Sequence, residues 1–151
     1  MRVIIGNDHG AVALKGRIVR HLERRGYAVV NRGVDTEDSV DYPDIAREVC
    51  REFKEALTAG DEPFDFAVLC CGTGIGISIS ANKIRGIRCA MPQNTFAARM
   101  AREHNNVNAI AFGGRIEYAD PVEAMLDAFI DTAPEGGRHA NRVNKIMALE
   151  S

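Results

Sequence analysis

Short apolar runs alternate with helix-length stretches five times along this chain. No other feature constrains its fold as strongly. Residues 2–7, 27–31, 66–71, 88–91 and 109–112 read as strands, the first of them buried. Residues 12–25, 42 to about 59, 77–84, 94–103, 120–131 and 139–149 read as helices. In the first helix Val12, Leu14, Ile18, Val19 and Leu22 recur at roughly helical spacing. Gly26 follows it, as glycine follows many helices. Pro43 suits a first turn. Asp120 is expected to cap the helix that follows it, with Pro121 at the first position. Alternation of this kind implies a parallel sheet with helices on both faces. The expected fold is therefore α/β, a single-domain, Rossmann-like three-layer sandwich around a five-stranded parallel sheet.

Composition narrows the function classes. A chain of 151 residues suits one domain and can bury a sizeable core. The net charge of −2 makes no electrostatic case for nucleic acid or an anionic membrane. Val3-Ile4-Ile5 is far too short to span a bilayer, and nothing reads as a signal peptide. The expected location is the cytoplasm. Cys50, Cys70, Cys71 and Cys89 form neither a disulfide framework nor a zinc-like spacing, so reduced thiols are expected. Asp35, Asp38 and Asp41 lie in a polar loop without EF-hand spacing, and no metal is expected there.

Ligands of parallel sheets sit beyond the carboxyl ends of the strands. That rule singles out Asp8 and His9 after the first strand, residues 71–76 after the third, and residues 113–115 after the fifth. The third position is the richest. Cys71-Gly72-Thr73-Gly74-Ile75-Gly76 places a thiol at the end of a strand, followed by three alternate glycines and a helix. Thiolates are favoured at helix N-termini. Backbone amides of a glycine loop can hold an oxyanion. Taken alone, the segment serves either chemistry or chain geometry. Its G-x-G-x-G spacing after the third strand is not a dinucleotide fingerprint, and no Gly-Lys-Ser/Thr makes it a P-loop. Ile77 stands where a cysteine phosphatase would need arginine. By strand alternation Cys70 points away from Cys71 and into the core.

Arg138 and Arg142 are four apart on one helix face, near its N-terminus, and arginine forks suit phosphate. A solvated basic face is the other reading. His104 ends the fourth helix as an acid/base group or as a C-cap. His21 and His139 read as surface residues, and Cys50 and Cys89 as packing residues.

Together these segments resemble the type B ribose-5-phosphate isomerases, in a group that includes galactose-6-phosphate and allose-6-phosphate isomerases. The resemblance rests on Asn7-Asp8-His9-Gly10 with Leu14-Lys15, Asp41-Tyr42-Pro43, Cys71-Gly72-Thr73-Gly74-Ile75-Gly76-Ile77-Ser78 and Ala81-Asn82-Lys83. It continues through Ala101-Arg102-Glu103-His104-Asn105, Phe112-Gly113-Gly114-Arg115 and Glu135-Gly136-Gly137-Arg138-His139 with Arg142. It implies an aldose–ketose isomerase that works on a sugar phosphate through a cis-enediolate, with no metal or other cofactor. D-ribose 5-phosphate and D-ribulose 5-phosphate are the leading pair. A hexose 6-phosphate of allose or galactose type is the variant, and a non-catalytic sugar-phosphate-binding module the alternative class. Cys71 would move the proton between C1 and C2, with Thr73 assisting at the hydroxyls. Gly72, Gly74 and Gly76 would offer amides to the enediolate. His104, with Asp8 nearby, would open the furanose ring. Tyr42 would line the pocket, and Asn105 would bind hydroxyls. His9, Arg115, Arg138 and Arg142 would hold the phosphate. The resemblance also implies a homodimer or homotetramer with shared sites, His104, Asn105 and Arg115 coming from the neighbour, and a C-terminal helix for subunit contact.

Overall fold

The computed structural model describes residues 1–58 and 62–150. Its strands are β1 (Arg2–Asn7), β2 (Ala28–Asn31), β3 (Phe66–Cys71), β4 (Cys89–Ala90) and β5 (Ala109–Gly113). They form one parallel sheet in the order β2-β1-β3-β5-β4. The helices are α1 (Val12–Arg24), α2 (Tyr42–Thr58), α3 (Ile75–Asn82), α4 (Thr95–Asn105), α5 (Val122–Ile130) and α6 (Arg138–Met147). Short 3-10 turns occupy His9–Ala11 and Ala148–Glu150. The expected end of α2 near residue 59 lies outside the described residues.

Side-chain alternation along the strands builds two cores. Val3, Ile5, Phe66, Val68, Cys70, Ile110 and Phe112 face α1, α4 and α5. Ile4, Ala67, Leu69, Cys71, Ala109 and Ala111 face α2 and α3. Full burial of a large apolar side chain contributes about 1.5–3 kcal/mol. Phe129 takes part in such burial, its ring edge-on to Phe66 with centroids 5.2 Å apart. The expected three-layer arrangement is therefore present.

Chain order places the site. From β1 the chain turns one way to β2, then crosses back over β1 to β3. The loops after β1 and β3 consequently diverge, and a crevice opens between them at the switch point. Asp8 N–H still donates to the Cys70 carbonyl at 3.0 Å, which keeps the two loops in register.

Four local expectations are corrected. Helix α3 starts at Ile75, not at 77, because Gly74 supplies the left-handed N-cap (φ 77°), and it stops at Asn82. Asp120 does not cap α5: its carboxylate accepts from Thr95 N–H at 2.7 Å, at the start of α4. That bond holds the Asp120 carboxyl below its ordinary value. Pro121 occupies the N-cap of α5 instead of its first turn. His21 is not a surface group: its ring is 15% exposed and lies 2.7 Å from Asp127. The acidic loop is tied down, Asp35 pairing with buried Lys15 and Asn7 Nδ2 donating to the Val34 carbonyl.

Candidate active site

Cys71 ends β3 on the α2–α3 side of the sheet and is 4% exposed. The Gly74 N–H donates to its sulfur at 3.1 Å. Gly74 can do this only with a left-handed backbone, and a Cβ there would stand 2.9 Å from the Phe112 carbonyl carbon. The loop thus folds back on its own thiol. Thr73 is exposed, and its hydroxyl accepts from Ile75 N–H at 3.3 Å. With the Ile75 amide taken by Thr73, the next amide of α3, that of Gly76, lacks an intrahelical acceptor and is available to an anion. The other thiols are packing groups. Burial pushes Cys50 up to about 12 and also raises Cys70 and Cys89.

The flanking loops complete one wall. Asp8 is buried, and its carboxylate accepts from Gly10 N–H at 2.8 Å. His9 Nδ1 accepts from Val40 N–H at 3.3 Å, which leaves Nε2 to carry the ring proton. Gly114 N–H donates to the Cys71 carbonyl and Arg115 N–H to the Gly72 carbonyl, at 2.8 and 2.9 Å. These two bonds prolong the β3–β5 pairing into the loops and lay the Arg115 side chain across Gly72. Arg115 therefore shares a cleft of about 250 Å³ with His9 and Gly10 of its own chain. This corrects the expectation that Arg115 comes from a neighbour. Glu37 lines the same cleft, and nothing in its sequence context marked it. On the other side, Tyr42 packs against Gly76, where an added Cβ would come within 2.5 Å of the ring.

The remaining site residues gather at the far edge of the sheet. Helix α4 runs back against the strands, so its last turn lies near their amino ends. There Asn108 accepts from Ala67, the second residue of β3, four residues before Cys71. At about 3.3 Å per residue the two edges are more than 10 Å apart. His104 does not cap α4; Asn106 does, in left-handed conformation (φ 44°). Instead His104 stacks on His139, with centroids 4.0 Å apart and planes at 8°. His139 was expected at the surface and is 3% exposed, because His104 covers it. Asn105, Arg138 and Arg142 are exposed beside this pair. One chain thus unites Asp8, His9, Tyr42, residues 71–76 and Arg115, and separately unites His104, Asn105, Arg138 and Arg142. It does not bring His104 to Asp8.

His104, Glu135 and His139 bring potential ligand atoms within 4.8 Å of one another. Imidazole lone pairs lie in the ring plane, so two parallel rings aim theirs side by side rather than at one point. The arrangement is a stacked pair more than a metal cage.

A family described as ribose/galactose isomerase matches residues 3–146. Ribose-5-phosphate isomerase B of Escherichia coli (strain K12) is 38% identical over 149 residues, covering 99% of this chain and 96% of that protein. The D-erythrulose-4-phosphate isomerase of Pectobacterium atrosepticum is 35% identical over 151 residues, covering 99% and 95%. The solved structure of Clostridium thermocellum ribose-5-phosphate isomerase B superposes with a TM-score of 0.91 at 42% identity, covering 99% of this chain and 97% of that one. Fold, crevice and likeness over nearly the whole chain agree: the chain belongs to the ribose/galactose isomerase family and is an aldose–ketose isomerase.

Proposed function

We propose that this enzyme interconverts D-ribose 5-phosphate and D-ribulose 5-phosphate through a cis-enediolate, with Cys71 as the base, at sites that two copies complete. The observation that carries the reading is the Cys71 sulfur held by Gly74 N–H at 3.1 Å, at the switch point of the sheet. A carbon acid needs a base fixed within reach of its proton. The Cys71 thiolate takes the proton from C2 of the open-chain aldose, and the electron pair forms the enediolate. Return of the proton to C1 gives the ketose. Amides of Gly72 and Gly76 serve the charge that develops on oxygen, while that of Gly74 stays on the sulfur. Thr73 stands beside them to move protons between the hydroxyls. Tyr42 walls the sugar pocket.

His9 and Arg115 take the phosphate from one side. Arg138 and Arg142 take it from the other, and they belong to the partner in this reading. The separation of the two clusters within one chain supports that assignment. His104 and Asn105 travel with those arginines on α4 and serve the neighbour's sugar, His104 opening its ring beside Asp8. Ile75 and Ile79, one turn apart on α3, are 50% and 56% exposed, as an apolar contact face would be before a second copy covers it. Four unpaired thiols suit a reducing compartment, and we place the enzyme in the cytoplasm. Among the described residues no helix is long and apolar enough to cross a membrane.

The test is turnover of ribose 5-phosphate, allose 6-phosphate, galactose 6-phosphate and D-erythrulose 4-phosphate by the wild type and by Cys71→Ala. Fastest turnover of ribose 5-phosphate, lost in a folded Cys71→Ala protein, is the expected result. Unchanged turnover by Cys71→Ala removes the thiol from the mechanism. A different fastest substrate replaces the pentose assignment.

A further inference from the structure

Resting on the reading that His104 opens the sugar ring, we propose that His139 is a positioning residue for that step, holding the His104 imidazole by face-to-face stacking while Glu135 holds His139. The two rings differ in exposure as a tool differs from its support. The His104 side chain is 37% exposed and that of His139 only 4%. Their parallel contact at 4.0 Å leaves His104 free to move its nitrogens only in one plane. Glu135 is fastened to the same turn, its N–H donating to the Glu103 carbonyl at 2.8 Å. Its carboxylate lies 3.3 Å from His139 Nε2.

The same Nε2 accepts from Arg138 Nε at 3.4 Å. One ring nitrogen cannot serve both neighbours. It accepts from Arg138 only while it carries no proton, and it donates to Glu135 only when it carries one. A phosphate that draws Arg138 away therefore frees Nε2 to donate to Glu135 and fastens the floor beneath His104. The charged groups facing the pair are Glu103 on α4, Glu135 on the connecting loop, and Arg138 and Arg142 on α6. Burial first, then His104, push the His139 imidazole below its ordinary value, with both arginines adding and Glu135 opposing. An uncharged floor lets His104 accept a proton without a like charge against its face. In ring opening the O1 hydroxyl gives up its proton and C1=O1 forms. The C1–O4 bond breaks with its electron pair on O4, which receives a proton.

Ribulose 5-phosphate has no furanose form, because its C5 oxygen carries the phosphate. Turnover from the ketose side thus begins without ring opening. Initial rates are measured from both sugars for wild type, His104→Asn, His139→Asn, His139→Phe and Glu135→Gln, with thermal melts alongside. His139→Asn is expected to lower the rate from ribose 5-phosphate on the order of 10- to 100-fold and to leave the rate from ribulose 5-phosphate close to wild type. His139→Phe, which keeps a ring to stack on, regains most of the loss. Glu135→Gln, at a side chain 58% exposed where folding is not at stake, shows the same one-sided loss at smaller size. Equal losses from both sugars, or a His139→Phe protein as slow as His139→Asn, overturn the positioning role. A His104→Asn protein without the one-sided loss overturns the ring-opening reading itself, separately from the role of His139.

Discussion

The Gly74 N–H points at the Cys71 sulfur from 3.1 Å, three residues further along the same loop. The loop both follows the thiol and aims it, so one substitution reaches structure and chemistry together. In Gly74→Ala the left-handed backbone costs about 1–2 kcal/mol. The new Cβ also meets the Phe112 backbone at 2.9 Å, which cannot give way as a side-chain tip can. A lower melting temperature is expected, with a fall in kcat on the order of 10- to 100-fold. Unchanged kcat in the folded variant would show that the loop does not aim the thiol.

Gly76→Ala is expected to behave differently. Alanine gains about 1 kcal/mol over glycine inside a helix. Its Cβ would come within 2.5 Å of Tyr42, but that ring is 39% exposed and its tip can swing outward. Stability should therefore stay within about 1 kcal/mol of wild type while KM rises. In a Tyr42→Ala background the same substitution should leave KM unchanged, since the contact is already gone. An additive effect on KM in that double variant counts against Tyr42 as the pathway.

The two clusters of one chain predict complementation. Assayed from ribose 5-phosphate, Cys71→Ala and His104→Asn should each be nearly inactive alone. After subunit exchange at equal amounts, half of the dimers are hybrid and each hybrid holds one intact site of two. About a quarter of wild-type activity should return. Mixtures no more active than the separate variants would place Cys71 and His104 in the same chain's site.

Acid stability should depend on Asp127. Partial burial pushes its carboxyl up, but Arg25 and His21, at 2.6 and 2.7 Å, outweigh this and lower it below the ordinary value. The folded-state value is thus below the unfolded one. The stability it contributes is present above the unfolded value, about 3.9, and is lost as pH falls through the folded value. Asp127→Asn should lower the melting temperature at neutral pH and flatten its decline below about pH 4. Parallel declines in variant and wild type would mean that other carboxylates set the acid limit.

Much of the site was legible because it lies in contiguous strings. Strand alternation alone separates Cys70 from Cys71, and the two side chains do fall in opposite cores. Asn94, read as the first residue of its helix, stands one place before α4 as its N-cap, accepting from Ala97 N–H at 2.8 Å. Contacts between distant segments were not legible. Asp120 stands directly before its own helix, yet its carboxylate serves Thr95. His139 lies among arginines and glycines, and only the packing of α6 on α4 buries it under His104.

The sequence by itself determined the parallel sheet, the helices on both faces and the thiol at a strand's carboxyl end. Periodicity, glycine placement and short connections are local properties that the chain displays without folding. Only the tertiary structure decided which loops meet. The return of α4 against the strands carries His104 to the edge away from Cys71, while the β3–β5 bonds carry Arg115 to Gly72. Those outcomes depend on strand order, because neighbours in a sheet are set by the packing of whole faces and not by any one segment's preference.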